Sequence, residues 1–242
     1  MTETKPKLEY ETAQQKGGAP VIIVAAGSAT RMRGINKHLL EIGGIPVIVR
    51  TMRQFESCDE ISRIILVTKA EEIFNFQLLG TKYGISKLSD IVCGGDSRQE
   101  SVLKGFERVG VDEENVLIHD GARPLVDSKT IRSVVNALEN HCAVTCGVKV
   151  KDTIKQIDKW GKVEKTLDRN NLLSIQTPQG VRKREYLQAV SKAEDISVFT
   201  DDMSVMESAG FDVFTVEGNY KNIKITTPED VILAQSYLGE EE

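Results

Sequence analysis

Four cysteines in 242 residues, Cys58, Cys93, Cys142 and Cys146, make no C-x-x-C pair and join no histidine at zinc-ligand spacing. That excludes a structural zinc site and a dithiol redox motif. Each lies in apolar sequence, so all four are expected to be small buried hydrophobes in a reducing compartment. Apolar runs stop near six residues, against the ~20 that a membrane span needs. A basic excess is missing too: 31 Lys+Arg against 36 Asp+Glu gives a net charge of -5, which argues against nonspecific nucleic-acid binding. Neither a Walker A nor a G-x-G-x-x-G is spelled anywhere, which removes the two commonest nucleotide fingerprints. The first 19 residues have no apolar core, and Glu3, Glu9 and Glu11 are wrong for a transit peptide. They read as a flexible tail on a cytoplasmic protein. No Pro/Gly/Ser-rich linker follows residue 20, so residues 20–242 are expected to form one domain.

What is present is an ordinary globular composition, 40% hydrophobic and 28% charged, which excludes disordered and collagen-like classes. Short β-branched runs recur at 20–26, 63–68, 89–93, 115–119, 142–150 and 212–216. The first four are continuous rather than alternating, as strands buried on both faces would be. Between them, Val47, Ile48, Met52 and Phe55 can share one helix face, as can Ser101, Val102, Gly105 and Phe106. Strand–helix–strand alternation predicts an α/β fold with a doubly wound, mostly parallel, Rossmann-like sheet. Residues 150–172 break the rhythm: charge-rich and poor in core residues, they read as a protruding β-hairpin arm turning near Lys159, Trp160 and Gly161. Thr227-Pro228-Glu229-Asp230 then opens a last helix with a cap, an early Pro and two acids.

Three strand ends carry chemistry. The first runs into AAGSATRMRGINKHLL, where Ala25, Ala26 and Gly27 let backbone approach a ligand and Arg31, Arg33 and Lys37 follow. At the carboxyl edge of an open sheet, backbone N–H groups and cations suit a triphosphate or pyrophosphate; a tight turn with surface cations is the plain alternative. The second, CGGDSRQES (93–101), has Gly94 and Gly95 to expose backbone groups for reading a base edge and Ser101 to add a hydroxyl, with Asp96 or Ser97 as a simple helix cap the alternative. The third is His119-Asp120-Gly121-Ala122-Arg123-Pro124. There Asp120 could meet Mg²⁺ directly or through water, and Arg123 a phosphate; an Asp–Arg pair shaping the turn is the alternative. His119 reads as a packed histidine, His38 and His141 as surface residues. Three phosphate-compatible strand ends in one sheet point to a nucleotide site.

These segments, with VKDTIK, TLDRNNLLSIQTPQG, TDDMSVMESAG and EGNYKNIKITTPEDV in register, resemble the 2-C-methyl-D-erythritol 4-phosphate cytidylyltransferases of the non-mevalonate isoprenoid pathway. The resemblance runs through nearly everything after residue 20. Departures are Ala29 for a usual second glycine, Asn36 where many members have Pro, and HDGARP for the commoner HDAARP. The resemblance implies a Mg²⁺-dependent (or other divalent-cation) transferase of the nucleotidyltransferase fold. It would move CMP from CTP to the sugar phosphate and release pyrophosphate. By motif, Arg31 and Lys37 would clamp the CTP phosphates. Ala25, Ala26, Gly27, Gly95, Asp96 and Ser101 would surround the nucleoside. Asp120 would lie beside the Mg²⁺-bound phosphates, Arg123 near the sugar phosphate, and Thr177, Thr200 and Lys224 would complete the pocket. Thr153 and Arg169, on the 150–172 arm, would reach the partner's site in a homodimer.

The chemistry agrees with the residues on its own terms. A phosphate nucleophile with a second pKa of ~6 is ionised at pH 7 and needs no general base. The catalyst must hold two anions together and neutralise developing charge, which Lys, Arg and Mg²⁺ do. The rival closest in kind is a D-ribitol 5-phosphate cytidylyltransferase, which shares fold, CTP and chemistry but more often shows HDAVRP. Sugar-1-phosphate nucleotidylyltransferases match only in the first loop. A nucleotide-binding module without activity is the rival from another class, invited by Ala29 and opposed by Arg31, Lys37, Asp120, Arg169 and Lys224 standing together. A dinucleotide oxidoreductase is weakest, its glycine fingerprint being absent.

Overall fold

The computed structural model describes residues 18–27 and 36–239. The tail as far as residue 17, and the first loop from 28 to 35 with Arg31 and Arg33, lie outside the described residues. The expected apolar runs become strands β1 (Ala19–Val24), then, past the short ribbon β2 (Glu41–Ile42) and β3 (Ile45–Pro46), β4 (Ile61–Thr68), β5 (Leu88–Cys93), β6 (Asn115–Asp120) and β7 (Ala143–Lys149). The arm supplies β8 (Lys155–Ile157) and β9 (Val163–Thr166); β10 (Leu173–Arg182) and β11 (Phe214–Glu217) complete the set. Seven strands form one sheet in the order β11-β7-β10-β6-β1-β4-β5. All pair in parallel except β10, which runs antiparallel to both β6 and β7.

Helices cover both faces. On one lie α1 (Val47–Glu56), α2 (Ile73–Lys82) and α4 (Ser128–Ala137), packed on Val21, Ile23, Leu66 and Leu117. On the other lie α3 (Arg98–Phe106), α5 (Lys183–Lys192) and α6 (Asp202–Ser208), packed on Ile22, Ile65, Val116 and Ile118. Neighbouring residues of one strand enter opposite layers because side chains alternate across the pleat, which is why β1, β4 and β6 must be apolar throughout. The two predicted helix faces, Val47/Ile48/Met52/Phe55 and Ser101/Val102/Gly105/Phe106, are buried as read from the sequence. α7 (Pro228–Gly239) packs Ala234 into a third small cluster with Ile42, Val47, Ala122 and Ile225.

Several expectations need correction. β5 is only partly buried, because it is the edge strand. Its last residue, Cys93, is exposed, and Cys142 is half-buried, whereas Cys58 and Cys146 are buried. β10 was not legible as a strand: Gln176, Thr177, Pro178 and Gln179 are not strand-like residues, and Pro argues against a central strand. Its pairing with β7 shifts register between Ile175 and Gln179, so the ladder gives way around Pro178, which has no N–H to donate. His38 is buried, not a surface residue, and His119 is fully buried with its ring edge-on to Phe55. The arm forms as read: Asp158 accepts N–H bonds from Trp160 and Lys162, both at 2.9 Å, and Gly161 takes the turn at φ +85°. At α7 the Asp230 carboxylate accepts from the N–H groups of Thr226 and Thr227 at 2.7 and 2.8 Å.

Burial, reinforced at His38 by Lys37 and partly opposed at His119 by Asp120, lowers both histidines to about 3 from the ordinary 6.5. The folded pKa lies below the unfolded one, so below pH 6.5 the unfolded chain takes up protons that the folded chain refuses. Stability should therefore be complete above about pH 7 and fall by up to ~1.4 kcal/mol per pH unit for each histidine toward pH 5. That window lies above the ordinary carboxylate range. Urea unfolding at pH 7.5 and 5.0 checks it; an unchanged midpoint would contradict neutral, buried rings.

Candidate active site

Parallel register brings the strand ends level: Val24 pairs with Asp120 on one side and Val67 on the other, and Thr68 pairs with Cys93. The loop after β1 begins with Ala25, whose N–H donates to the Val67 carbonyl at 2.7 Å. The loop after β5 folds against it. A Cβ on Gly94 would stand 2.5 Å from Ala26 Cβ and 2.7 Å from Ser101 Oγ, so only glycine admits this approach. Ser101 is buried and its hydroxyl accepts the Gly95 N–H at 3.1 Å while donating to the Ser97 carbonyl at 2.9 Å. Ser97, not Asp96, caps α3, in a reciprocal pair with Glu100; the Asp96 side chain is exposed at the rim.

Asp120 is the charged centre. Lys224 Nζ lies 2.8 Å from its Oδ2, Arg98 Nε 3.4 Å from Oδ1, and Arg123 Nε 3.6 Å from Oδ2. Burial alone would raise this carboxyl; Arg98, Lys224 and Arg123 outweigh burial and hold it well below the usual carboxylate range. The backbone fixes each partner. Asp120 N–H donates to the Thr177 hydroxyl at 3.1 Å, and that hydroxyl lies 3.0 Å from His119 Nδ1. Ile225 N–H donates to the Ala122 carbonyl at 2.8 Å, which sets Lys224 beside Asp120. Arg123 Nη1 donates to the Asn222 carbonyl at 2.7 Å, and the Asn222 amide donates to the Thr177 carbonyl at 2.9 Å.

Across the site, Lys37 stands in a turn closed by Leu39 N–H on the Asn36 carbonyl at 3.0 Å. The Asn36 side chain donates to Glu72 at 2.8 Å and accepts from His38 N–H at 3.1 Å. This chain thus holds the turn by side-chain hydrogen bonds. A cavity of about 230 Å³ opens here, lined among others by Ala25, Gly27, Lys37, Lys69 and Glu72.

The structure therefore brings together Ala25, Ala26, Gly27, Lys37, Gly95, Ser101, Asp120, Arg123 and Lys224 around the carboxyl edge. Thr177 is buried beneath Asp120. Thr200 is exposed, one residue before the Asp201 cap of α6. Thr153 and Arg169 are exposed on the arm, where Arg169 donates to the Lys151 carbonyl at 2.6 Å. A larger cleft, about 610 Å³ and lined by residues that include Lys149, Leu173, Glu217 and Tyr220, lies at the arm's root. Reading the sequence did not single out Arg98, Asp202, Asn222 or the Asn36–Glu72 clasp. The one available signal was an arginine directly after a helix cap, an unfavourable place for a cation.

Comparison with known proteins finds relatives along nearly the whole chain. The family model described as IspD, 2-C-methyl-D-erythritol 4-phosphate cytidylyltransferase, matches residues 19–240. A protein of that name from Halalkalibacterium halodurans is 42% identical over 224 residues, 92% of this chain and 97% of the relative. One from Clostridium novyi is 44% identical over 220 residues, 90% of this chain and 95% of the relative. The crystal structure of a 4-diphosphocytidyl-2C-methyl-D-erythritol synthase from Anaerococcus prevotii superposes with a TM-score of 0.82 at 33% identity, covering 92% of this chain and 96% of that one.

Asp120→Asn removes the anion that three cations share. Breaking a buried pair by deleting one partner typically costs about 3 kcal/mol or more, so a loss of that size is expected. Sulfate should restore more stability to the variant than to the parent by replacing the missing charge. Urea melts with and without sulfate test this; equal stability of the two proteins would refute the shared-anion arrangement.

Proposed function

The chain belongs to the 2-C-methyl-D-erythritol 4-phosphate cytidylyltransferase family, and from that premise we propose how its own residues carry the reaction. It transfers CMP from CTP to the phosphate of 2-C-methyl-D-erythritol 4-phosphate, giving 4-diphosphocytidyl-2-C-methyl-D-erythritol and pyrophosphate. The observation that carries the assignment of roles is the Asp120 cluster. A single carboxylate there holds Lys224 and Arg123 side by side at a strand edge, opposite Lys37.

The acceptor phosphate arrives already ionised, so no side chain need remove a proton; attack on the α-phosphorus requires alignment and charge neutralisation. Lys37, with Arg31 of the same loop, binds the CTP phosphates and stabilises charge developing on the α-phosphate and departing pyrophosphate. The small residues Ala25, Ala26 and Gly27 let the chain approach the triphosphate, while Gly95, Asp96 and Ser101 face the nucleoside. Lys224 and Arg123 hold the acceptor phosphate, and Thr200 borders it. Thr177 supports Asp120 from below.

Among the described residues no three His, Cys, Asp or Glu side chains gather into a metal cage. Asp120 is already neutralised by three cations. Asp120 would face a Mg²⁺ ion held mainly by the CTP phosphates, an ion that usually takes only one or two carboxylates from the protein. Bound so, it would neutralise phosphate charge.

The arm supports a homodimer. Ile157, Trp160 and Val163 are 58%, 79% and 52% exposed, and a two-stranded ribbon cannot bury them itself. A partner subunit would cover them and receive Thr153 and Arg169 at its acceptor site.

Two outcomes test this reading. Pyrophosphate release from Mg–CTP should be fast with 2-C-methyl-D-erythritol 4-phosphate, absent with D-ribitol 5-phosphate, and abolished by a chelator; Lys37→Ala should lower kcat about a hundredfold while the protein stays folded. Release with ribitol phosphate alone would move the enzyme to polyol activation. Sedimentation equilibrium should give twice 26.8 kDa, and Trp160→Asp should halve it; a monomeric parent would overturn the arm's role.

A further inference from the structure

Arg98 opens α3 with a cation at the positive end of a helix dipole, where charge of that sign is unfavourable. Only 22% of its side chain is exposed. Two carboxylates offset both penalties: Arg98 Nη2 lies 2.8 Å from Asp202 Oδ2, and Nε 3.4 Å from Asp120 Oδ1. Asp202 has no exposed surface. It accepts the Tyr186 hydroxyl at 2.9 Å, and its N–H donates to the Gln179 side-chain carbonyl at 3.0 Å. The Gln179 amide in turn donates to Asp201 at 2.7 Å, so the segment carrying Thr200 is tied to β10. Arg98 therefore links this buried assembly to Asp120. The oxygens of Asp120 are divided: Oδ1 faces Arg98, while Oδ2 faces Lys224 and Arg123.

We infer that Arg98 is a positioning residue of the transfer reaction: anchored on Asp202, it occupies Oδ1 of Asp120, so that Lys224 and Arg123 share Oδ2 alone and keep their remaining N–H groups for the acceptor phosphate. An ammonium has three donors and a guanidinium five. With Oδ1 left open in a buried site, one of these two cations must turn to satisfy it, and the phosphate loses that donor. The inference rests on the cytidylyltransferase reading above. It adds a residue that touches neither the nucleotide nor the acceptor.

Arg98→Gln alone strands the buried Asp202 carboxylate and can fail to fold. The informative variant is Arg98→Gln with Asp202→Asn, which removes the buried pair together and leaves Tyr186 its acceptor. Circular dichroism and an unchanged gel-filtration profile establish that it is folded. The expected result is a kcat lower by tenfold to a hundredfold, the scale of a misplaced contact, and a raised KM for the acceptor, with the KM for CTP within about twofold. Adding Asp120→Asn to this variant should cost no further activity beyond that of Asp120→Asn alone, because Arg98 acts through Asp120. A folded variant with parental kcat and acceptor KM, or a triple variant whose losses simply multiply, would overturn the inference and leave Arg98 with a structural role only. Absence of pyrophosphate release by the parent enzyme would instead refute the reading on which it rests.

Discussion

A carboxylate buried among three cations organises this molecule. Asp120 lies at the end of β6, in the middle of the sheet, and Lys224, Arg98 and Arg123 reach it from three separate segments of the chain. None of those cations could be left near the others without it, since like charges a few ångströms apart repel strongly where water is scarce. The fold therefore serves a charge pattern: parallel strands set their ends level, and the last stretch before α7 is hydrogen-bonded to Ala122 so that Lys224 arrives at the right height. Stability and chemistry draw on the same few groups here.

That economy suits a reaction without a general base. Phosphate attack on phosphate needs positive charge that does not reorganise as the transition state forms. A side chain loose enough to wander would have to be ordered in every turnover. Here the cations are fixed before any ligand arrives, Arg123 by the Asn222 carbonyl and the Lys37 turn by Asn36 and Glu72. The neutral, buried His119 contributes packing and a contact to Thr177. It is a support, not a proton carrier.

Much of the fold was legible because parallel strands buried on both faces must be apolar runs, and β1, β4 and β6 are. The helix faces of α1 and α3 followed from spacing. β5 misled because an apolar run does not say whether a strand is central or at an edge. β10 was hidden by its function: Gln176, Thr177 and Gln179 are polar so that Asn222, Asp120, Asp201 and Asp202 have partners, and a polar strand with a proline carries no strand signature. In the site, Lys37, Asp120 and Arg123 stood out as charges in the segments that follow β1 and β6, while Lys224 came from the family resemblance alone. Arg98 and Asn222 did not, because what they do depends on neighbours 22 and 99 residues away in the chain. His38 was misjudged for the same reason: its burial depends on how its turn packs against distant parts of the chain, such as Ile48, whose N–H donates to the His38 carbonyl.

The path of β10 has a consequence for how such a chain can change over generations. The strand leaves the arm at Leu173, passes beneath Asp120 at Thr177 and reaches the α6 cap through Gln179. Its side chains alternate between two faces, so parity matters. Inserting two residues at the Asp158–Lys162 tip lengthens the arm and disturbs nothing behind it. Inserting one inside the strand puts the residues on one side of it out of phase, so that Thr177 or Gln179 loses its partners. Length variation among descendants should thus gather at the tip of the hairpin, while the ten residues that follow keep their count.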